Sequence, residues 1–277
     1  MARAICKPVL CSIFAAALLQ VCAGQTDCGH AANAIEQVQP SGLTTQQVIE
    51  RAATNEAAFK SARTHYTYTQ EISIQTLRAV GLPGNYVTDG EYRQVAHISY
   101  DHSGRRIEQV VFAPMSTLQR VTPTPEDFED IYTFATYVLV PSEISKYHFN
   151  YEGRQHIDDL DAYVFDVAPR TVAPKQRYFQ GRIWIDHDDL AIVKTCGKAV
   201  PDSIPHPGKK KKKNAQENIH ATYVTYREQF NNSYWFPTYT RSDDIFHFGN
   251  DEIRTRTLVK YSGYARPEQQ RAATPAR

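Results

Sequence analysis

The chain has only five cysteines in 277 residues and no C-x-x-C pair among them, which excludes a dithiol redox motif and a cysteine-rich zinc knuckle. It lacks a surplus of either charge. Thirty-one basic against thirty acidic residues leave a formal net charge of +1, so nothing global steers it toward nucleic acid, and no nucleic-acid partner is expected. It also lacks a long apolar run: the longest, Val9 to Val21, falls short of the roughly 20 residues a membrane-spanning helix needs. There is no G-x-S-x-G elbow, no phosphate-cradling glycine loop and no H-E-x-x-H, and His97, His148, His156, His187, His220 and His247 show no paired metal spacing. The sequence therefore assigns no catalytic residue, no metal ligand and no cofactor, and the chain is read as non-enzymatic. A hydrolase whose site is assembled from distant strands leaves no such signature and stands as a third reading.

What is present begins with a leader. Arg3 and Lys7 form a positive n-region, the apolar stretch follows, and Val21-Cys22-Ala23 offers a small-residue cleavage site, so residues 1–23 read as a signal peptide and the protein as periplasmic or secreted. A lipoprotein cleaved before Cys22 is the rival, disfavoured because Gln20-Val21 is a poor approach to a lipidated cysteine. Cys28 and Cys196 remain after cleavage, in a compartment where a disulfide persists. Their pairing is open in the sequence; the reading adopted is a buried Cys196 and a free or loosely paired Cys28.

Residues 24–42 read as a flexible polar lead-in. A helix follows, capped by Thr44 or Thr45, with Val48, Ile49, Ala52, Ala53 and Phe59 on one stripe and Glu50, Arg51 and Lys60 toward water. From Thr64 to Tyr264 the pattern is period-2 and rich in Tyr and Thr, broken by Asp, Asn and Gly turns. Expected strands are 65–77, 90–101, 105–113, 147–157, 162–168, 177–186, 191–197, 219–230, 234–241 and 252–264. A second helix is expected within 122–134, capped by Thr124 or Thr122, and a helical turn near Pro141-Ser142-Glu143. Ile157-Asp158-Asp159-Leu160 and Asp186-His187-Asp188-Asp189 are turns whose aspartates bond their own backbone rather than a metal. Residues 266–277 read as a disordered tail.

Consecutive hairpins without strand–helix–strand alternation require an antiparallel sheet, and two helices are too few to cover it fully. The expected architecture is mainly β (α+β), a curved antiparallel sheet or half-barrel over residues 43–265, with a few helices forming a lid over the concave face. Tyr68, Ile72, Phe165, Phe179, Ile183, Ile185, Phe236 and Val259 are the candidate lining of a hydrophobic cavity there, although sequence does not separate a cavity from a packed core. Lys209, Lys210, Lys211, Lys212 and Lys213 form a basic run beside prolines, read as a solvated loop or a contact with an anionic membrane surface.

Two segments, Arg177-Tyr178-Phe179-Gln180-Gly181-Arg182-Ile183-Trp184-Ile185-Asp186 running on through Leu190 to Thr195, and Tyr234-Trp235-Phe236-Pro237-Thr238, resemble exported bacterial proteins of the outer-membrane lipoprotein-sorting type, the LolA/LolB/RseB-like superfamily. So does Asp161-Ala162-Tyr163-Val164-Phe165. The resemblance implies a periplasmic half-barrel with a helical lid and a cavity for lipoprotein acyl chains. Its expected partner is a lipid or acylated lipoprotein; the alternative is an RseB-like sensor or protein-interaction module binding an envelope protein. No functional residue of that superfamily is carried over, and the lysine run and dense tyrosine content depart from a dedicated carrier.

Overall fold

The computed structural model describes residues 28, 33–82, 84–119, 121–173, 176–201, 219, 221–248 and 251–267. Helix α1 spans Thr45–Arg63. Strands β1 (Thr67–Ala79), β2 (Tyr86–Tyr100) and β3 (Arg106–Phe112) follow, then helix α2 (Pro125–Tyr132) and a 3-10 turn, Pro141–Lys146. The remaining strands are β4 (Tyr147–Ile157), β5 (Leu160–Pro169), β6 (Tyr178–Asp186), β7 (Ile192–Val200), β8 (Tyr223–Phe230), β9 (Tyr234–Phe248) and β10 (Asp251–Ala265).

All ten strands form one antiparallel sheet in the order β3-β2-β1-β10-β9-β8-β7-β6-β5-β4. The sheet is curved and open, and the helices lie on its concave side, as the hairpin pattern requires. The topology also dictates where the lid goes. Strand β3 sits at one edge and β4 at the other, so residues 113–146 must cross the whole sheet, about 43 Å measured along ten strands, and α2 and the 3-10 turn lie in that crossing.

Local chemistry sets the boundaries. Thr44 and Gln47 form a reciprocal capping box at α1, with Gln47 N donating to Thr44 Oγ1 at 3.2 Å and Thr44 N donating to Gln47 Oε1 at 2.8 Å. Thr124 and Asp127 do the same for α2, which carries Pro125 at its first position. The β8–β9 hairpin turns on Asn231 and Asn232, with φ of 50° and 51°, a left-handed pair that asparagine tolerates better than most residues. Asp186 Oδ2 accepts from Asp188 N at 3.1 Å and Asp189 N at 2.7 Å, the backbone role expected of that turn. Strand β9 runs on to Phe248 rather than ending near Arg241, because Ser242, Asp243 and Asp244 pair in register with Thr257, Arg256 and Thr255 of β10.

The cysteine reading needs correction. Cys28 and Cys196 are joined by a disulfide, with Cα atoms 5.4 Å apart. Residues 33–36 pair along the edge strand β4: Glu36 and Arg154 exchange backbone hydrogen bonds of 2.7 and 2.8 Å, and Asn33 Nδ2 donates to the His156 carbonyl at 2.7 Å. Cys28 and Ile35 then pack against a buried outer cluster including Val164, Trp184, Cys196 and Trp235.

Candidate functional site

The concave face is organised by one row of cross-strand partners. From β5 to β2 it reads Phe165, Ile183, Thr195, Thr225, Thr240, Val259, Ile72 and Gln94. Four of the eight expected lining residues fall in it. Phe165 and Ile183 form one apolar wing and Val259 and Ile72 the other, but three buried threonines separate them. The apolar face expected to be continuous is therefore interrupted along its midline.

The first wing lies under α1. Phe165, Phe179, Ile183 and Ile185 pack with Val48, Ile49, Ala52 and Ala53, and each such large side chain withdrawn from water contributes about 1.5–3 kcal/mol. Gly197 makes room for Phe179: a Cβ there would stand 2.6 Å from two ring carbons. The second wing lies under α2, where Tyr68, Ile72 and Val259 join Ile98, Ile131 and Ile253. Phe236 belongs to neither wing and packs in an aromatic group with Tyr66, Phe230, Tyr234 and Tyr264. All eight residues are at most 3% exposed and fall in three separate patches.

The midline holds what the sequence reading missed. Glu56 and Arg227, both fully buried, pair between α1 and β8; Arg227 Nη2 also donates to the Thr136 carbonyl at 2.8 Å, and Val138 N donates to Glu56 Oε1 at 3.0 Å. Thr225 Oγ1 donates to the Ala135 carbonyl at 2.6 Å. The lid is thus fastened at its centre by side chains. At its far side Arg177 Nη2 donates to Asp130 Oδ2 at 2.8 Å, and Ile219 N to Asp127 Oδ1 at 2.8 Å. Burial, outweighing Arg177 and aided by the neighbouring Asp127 charge, pushes the Asp130 carboxyl up to about 7. A sequence signal existed for part of this: Glu56 and Arg63 continue the spacing of Ile49, Ala52 and Phe59, so two charges sit on the buried stripe of α1.

At the rim, an open groove of about 470 Å³ runs between α1 and the 3-10 turn, lined by Glu50, Thr54, Ile144, Tyr147, Phe149 and Arg170. Ile144, Tyr147 and Phe149 also pack against the first wing. No group of three or more metal-ligating side chains occurs among the described residues. The run Lys209 to Lys213 lies outside them, as do residues 1–23.

The chain is similar to several solved structures. A DUF1329 family protein from Desulfovibrio piger shares 11% identity, covering 83% of this chain and 94% of that one, with a TM-score of 0.35. A LolA superfamily protein from Nitrosomonas europaea shares 15%, covering 82% and 97%, with a TM-score of 0.31. A putative outer membrane lipoprotein-sorting protein domain from Vibrio parahaemolyticus shares 11%, covering 76% and 90%, with a TM-score of 0.30. No protein-family model and no curated protein matches.

Proposed function

We propose that this protein is an exported, non-enzymatic binding module that takes the apolar chain of a lipid or acylated lipoprotein between the lid and the concave face, in contact with Tyr68, Ile72, Phe165, Phe179, Ile183, Ile185, Phe236 and Val259. The observation that carries the reading is how the lid is attached. Residues 113–146 cross an apolar surface and are fastened to it by side-chain bonds at the midline and at Asp130, with single backbone bonds near their ends, Thr117 N to the Glu91 carbonyl and Arg170 N to the Lys146 carbonyl, so they part from the sheet without breaking a β-ladder. In the described structure α1 covers the first wing and α2 the second, so this reading requires them to part from the sheet to admit a chain. Opening exposes Ile72, Ile74, Ile98 and Val259, an apolar surface that an acyl chain covers. The groove beside Tyr147 and Phe149 supplies an approach to the first wing. The Cys28–Cys196 disulfide fits export to an oxidising compartment such as the periplasm.

One observation favours a second reading, a module that binds an envelope protein. Strand β3 is a free sheet edge bearing half-exposed Val110, Val111 and Phe112, with Met115 90% exposed just beyond it, a surface that a partner strand would extend.

Titration with a neutral apolar fluorophore separates the two. The carrier reading predicts saturable binding near one probe per chain, displaced by monooleoylglycerol. Weak, non-saturating binding that monooleoylglycerol leaves unchanged contradicts it.

A further inference from the structure

Arg63, the last residue of α1, is 4% exposed. Its guanidinium stands over the rings of Tyr68 at 4.4 Å, Tyr261 at 5.4 Å, Tyr137 at 5.6 Å and Tyr264 at 6.0 Å. Two of its nitrogens, Nε and Nη2, are buried without a hydrogen-bond partner. These two N–H groups form the side-on fork that a carboxylate or phosphate fills with two parallel bonds. Elsewhere in this chain the same fork is filled: Arg182 Nε and Nη2 donate to Asp166 Oδ1 and Oδ2 at 2.6 and 3.0 Å. Glu56, seven residues before Arg63 in α1, is taken by Arg227. Nor do the tyrosines supply countercharge, since burial holds the phenols of Tyr137, Tyr261 and Tyr264 above their ordinary value and so neutral at pH 7.

A buried cation with an unpartnered bidentate edge is costly to leave uncompensated, and attraction to ring faces offsets only part of that cost. Here the edge lies where the second apolar wing begins: Tyr68 is shared by the arginine cage and by the cluster of Ile72, Ile98 and Ile131. Tyr100, hydrogen-bonded to Tyr68 at 3.3 Å, and Tyr264 are only half-buried, so the cage reaches the surface beside them. We infer that Arg63 is the head-group site for an anionic amphiphile, its Nε and Nη2 receiving a carboxylate or phosphate while the chain runs along the second wing. This inference rests on the binding reading given above and adds the charge and position of the head.

The test measures binding of cis-parinaric acid and its methyl ester to the delipidated protein at pH 7.5, with oleate and oleoyl lysophosphatidate as competitors. The acid is expected to bind at least about tenfold more tightly than the ester, as charge-assisted hydrogen bonds to a desolvated oxyanion imply. Arg63→Met is expected to erase that ratio, and the better of the two competitors assigns the head as carboxylate or phosphate. Equal affinity for acid and ester overturns the Arg63 assignment while leaving the lipid-binding reading intact; binding of neither overturns both. If Arg63→Met does not fold, the acid-to-ester ratio of the wild-type protein decides alone.

Discussion

Glu56 of α1 and Arg227 of β8 meet as a fully buried ion pair at the centre of the concave face, 171 residues apart in sequence. The pair also holds the lid, through the Thr136 carbonyl and the Val138 amide, so one contact ties helix, sheet and crossing segment together. Removing one partner strands a buried charge. Glu56→Ala or Arg227→Ala is expected to lower stability by about 3–5 kcal/mol, read as a fall in the urea midpoint. The double replacement Glu56→Leu with Arg227→Met is expected to recover part of the loss, because no charge is then left unpaired, while the Val138 amide and the Thr136 carbonyl still lose their partners.

Asp130 gives stability an unusual pH dependence. Its folded-state value is raised to about 7 from an ordinary 3.8, so the folded chain holds this proton after the unfolded chain has released it. The contribution of protonated Asp130 is complete below about pH 4 and is lost as pH rises toward 7. Asp130→Asn is expected to flatten the unfolding free energy over pH 4–7 relative to wild type. An unchanged slope would show that Arg177 keeps the carboxyl ionised throughout.

The disulfide should matter for stability as well as for compartment. Cys28 and Cys196 close a sequence separation of 168 residues, for which the chain-entropy account allows up to about 5 kcal/mol. Reduction, or Cys28→Ser, is expected to lower the melting temperature and to release the 33–38 segment from β4, visible as faster amide exchange at Glu36 and Arg154. Loss of stability without faster exchange there would place the effect elsewhere.

Packing on the first wing is tight enough for a single methyl to be felt. Gly197→Ala is expected to cost roughly 1–3 kcal/mol, as overpacking does, because its Cβ would collide with the Gln180 backbone carbonyl at 2.5 Å as well as with the Phe179 ring. Pairing it with Phe179→Leu should return part of that, and a neutral single variant would mean that both the Phe179 ring and the β6 backbone at Gln180 have room to move.

The hairpin series was legible because period-2 alternation and Asx turns are local: β4 has the expected bounds, and α1, α2 and the aspartate turns fall where their caps put them. The lid's path was not legible. It follows from β3 and β4 lying at opposite edges, a fact of long-range pairing between β1 and β10. The site was half visible for the same reason. Apolar residues such as Ile72 and Phe165 announce a buried face, whereas Thr195, Thr225 and Thr240 read as ordinary strand threonines until register aligns them. Arg63 and Glu56 were discernible as charges on a buried helical stripe, but their different situations, one paired and one open, depend on where β8 places Arg227.

Native mass spectrometry of the protein isolated from the cell envelope, with extraction of whatever it carries, tests the central claim most directly. A stoichiometric lipid or acylated peptide, lost when Ile72→Asp is introduced into a chain that still melts cooperatively, is the predicted result. A protein isolated bare that also takes up no added acyl chain would contradict the account.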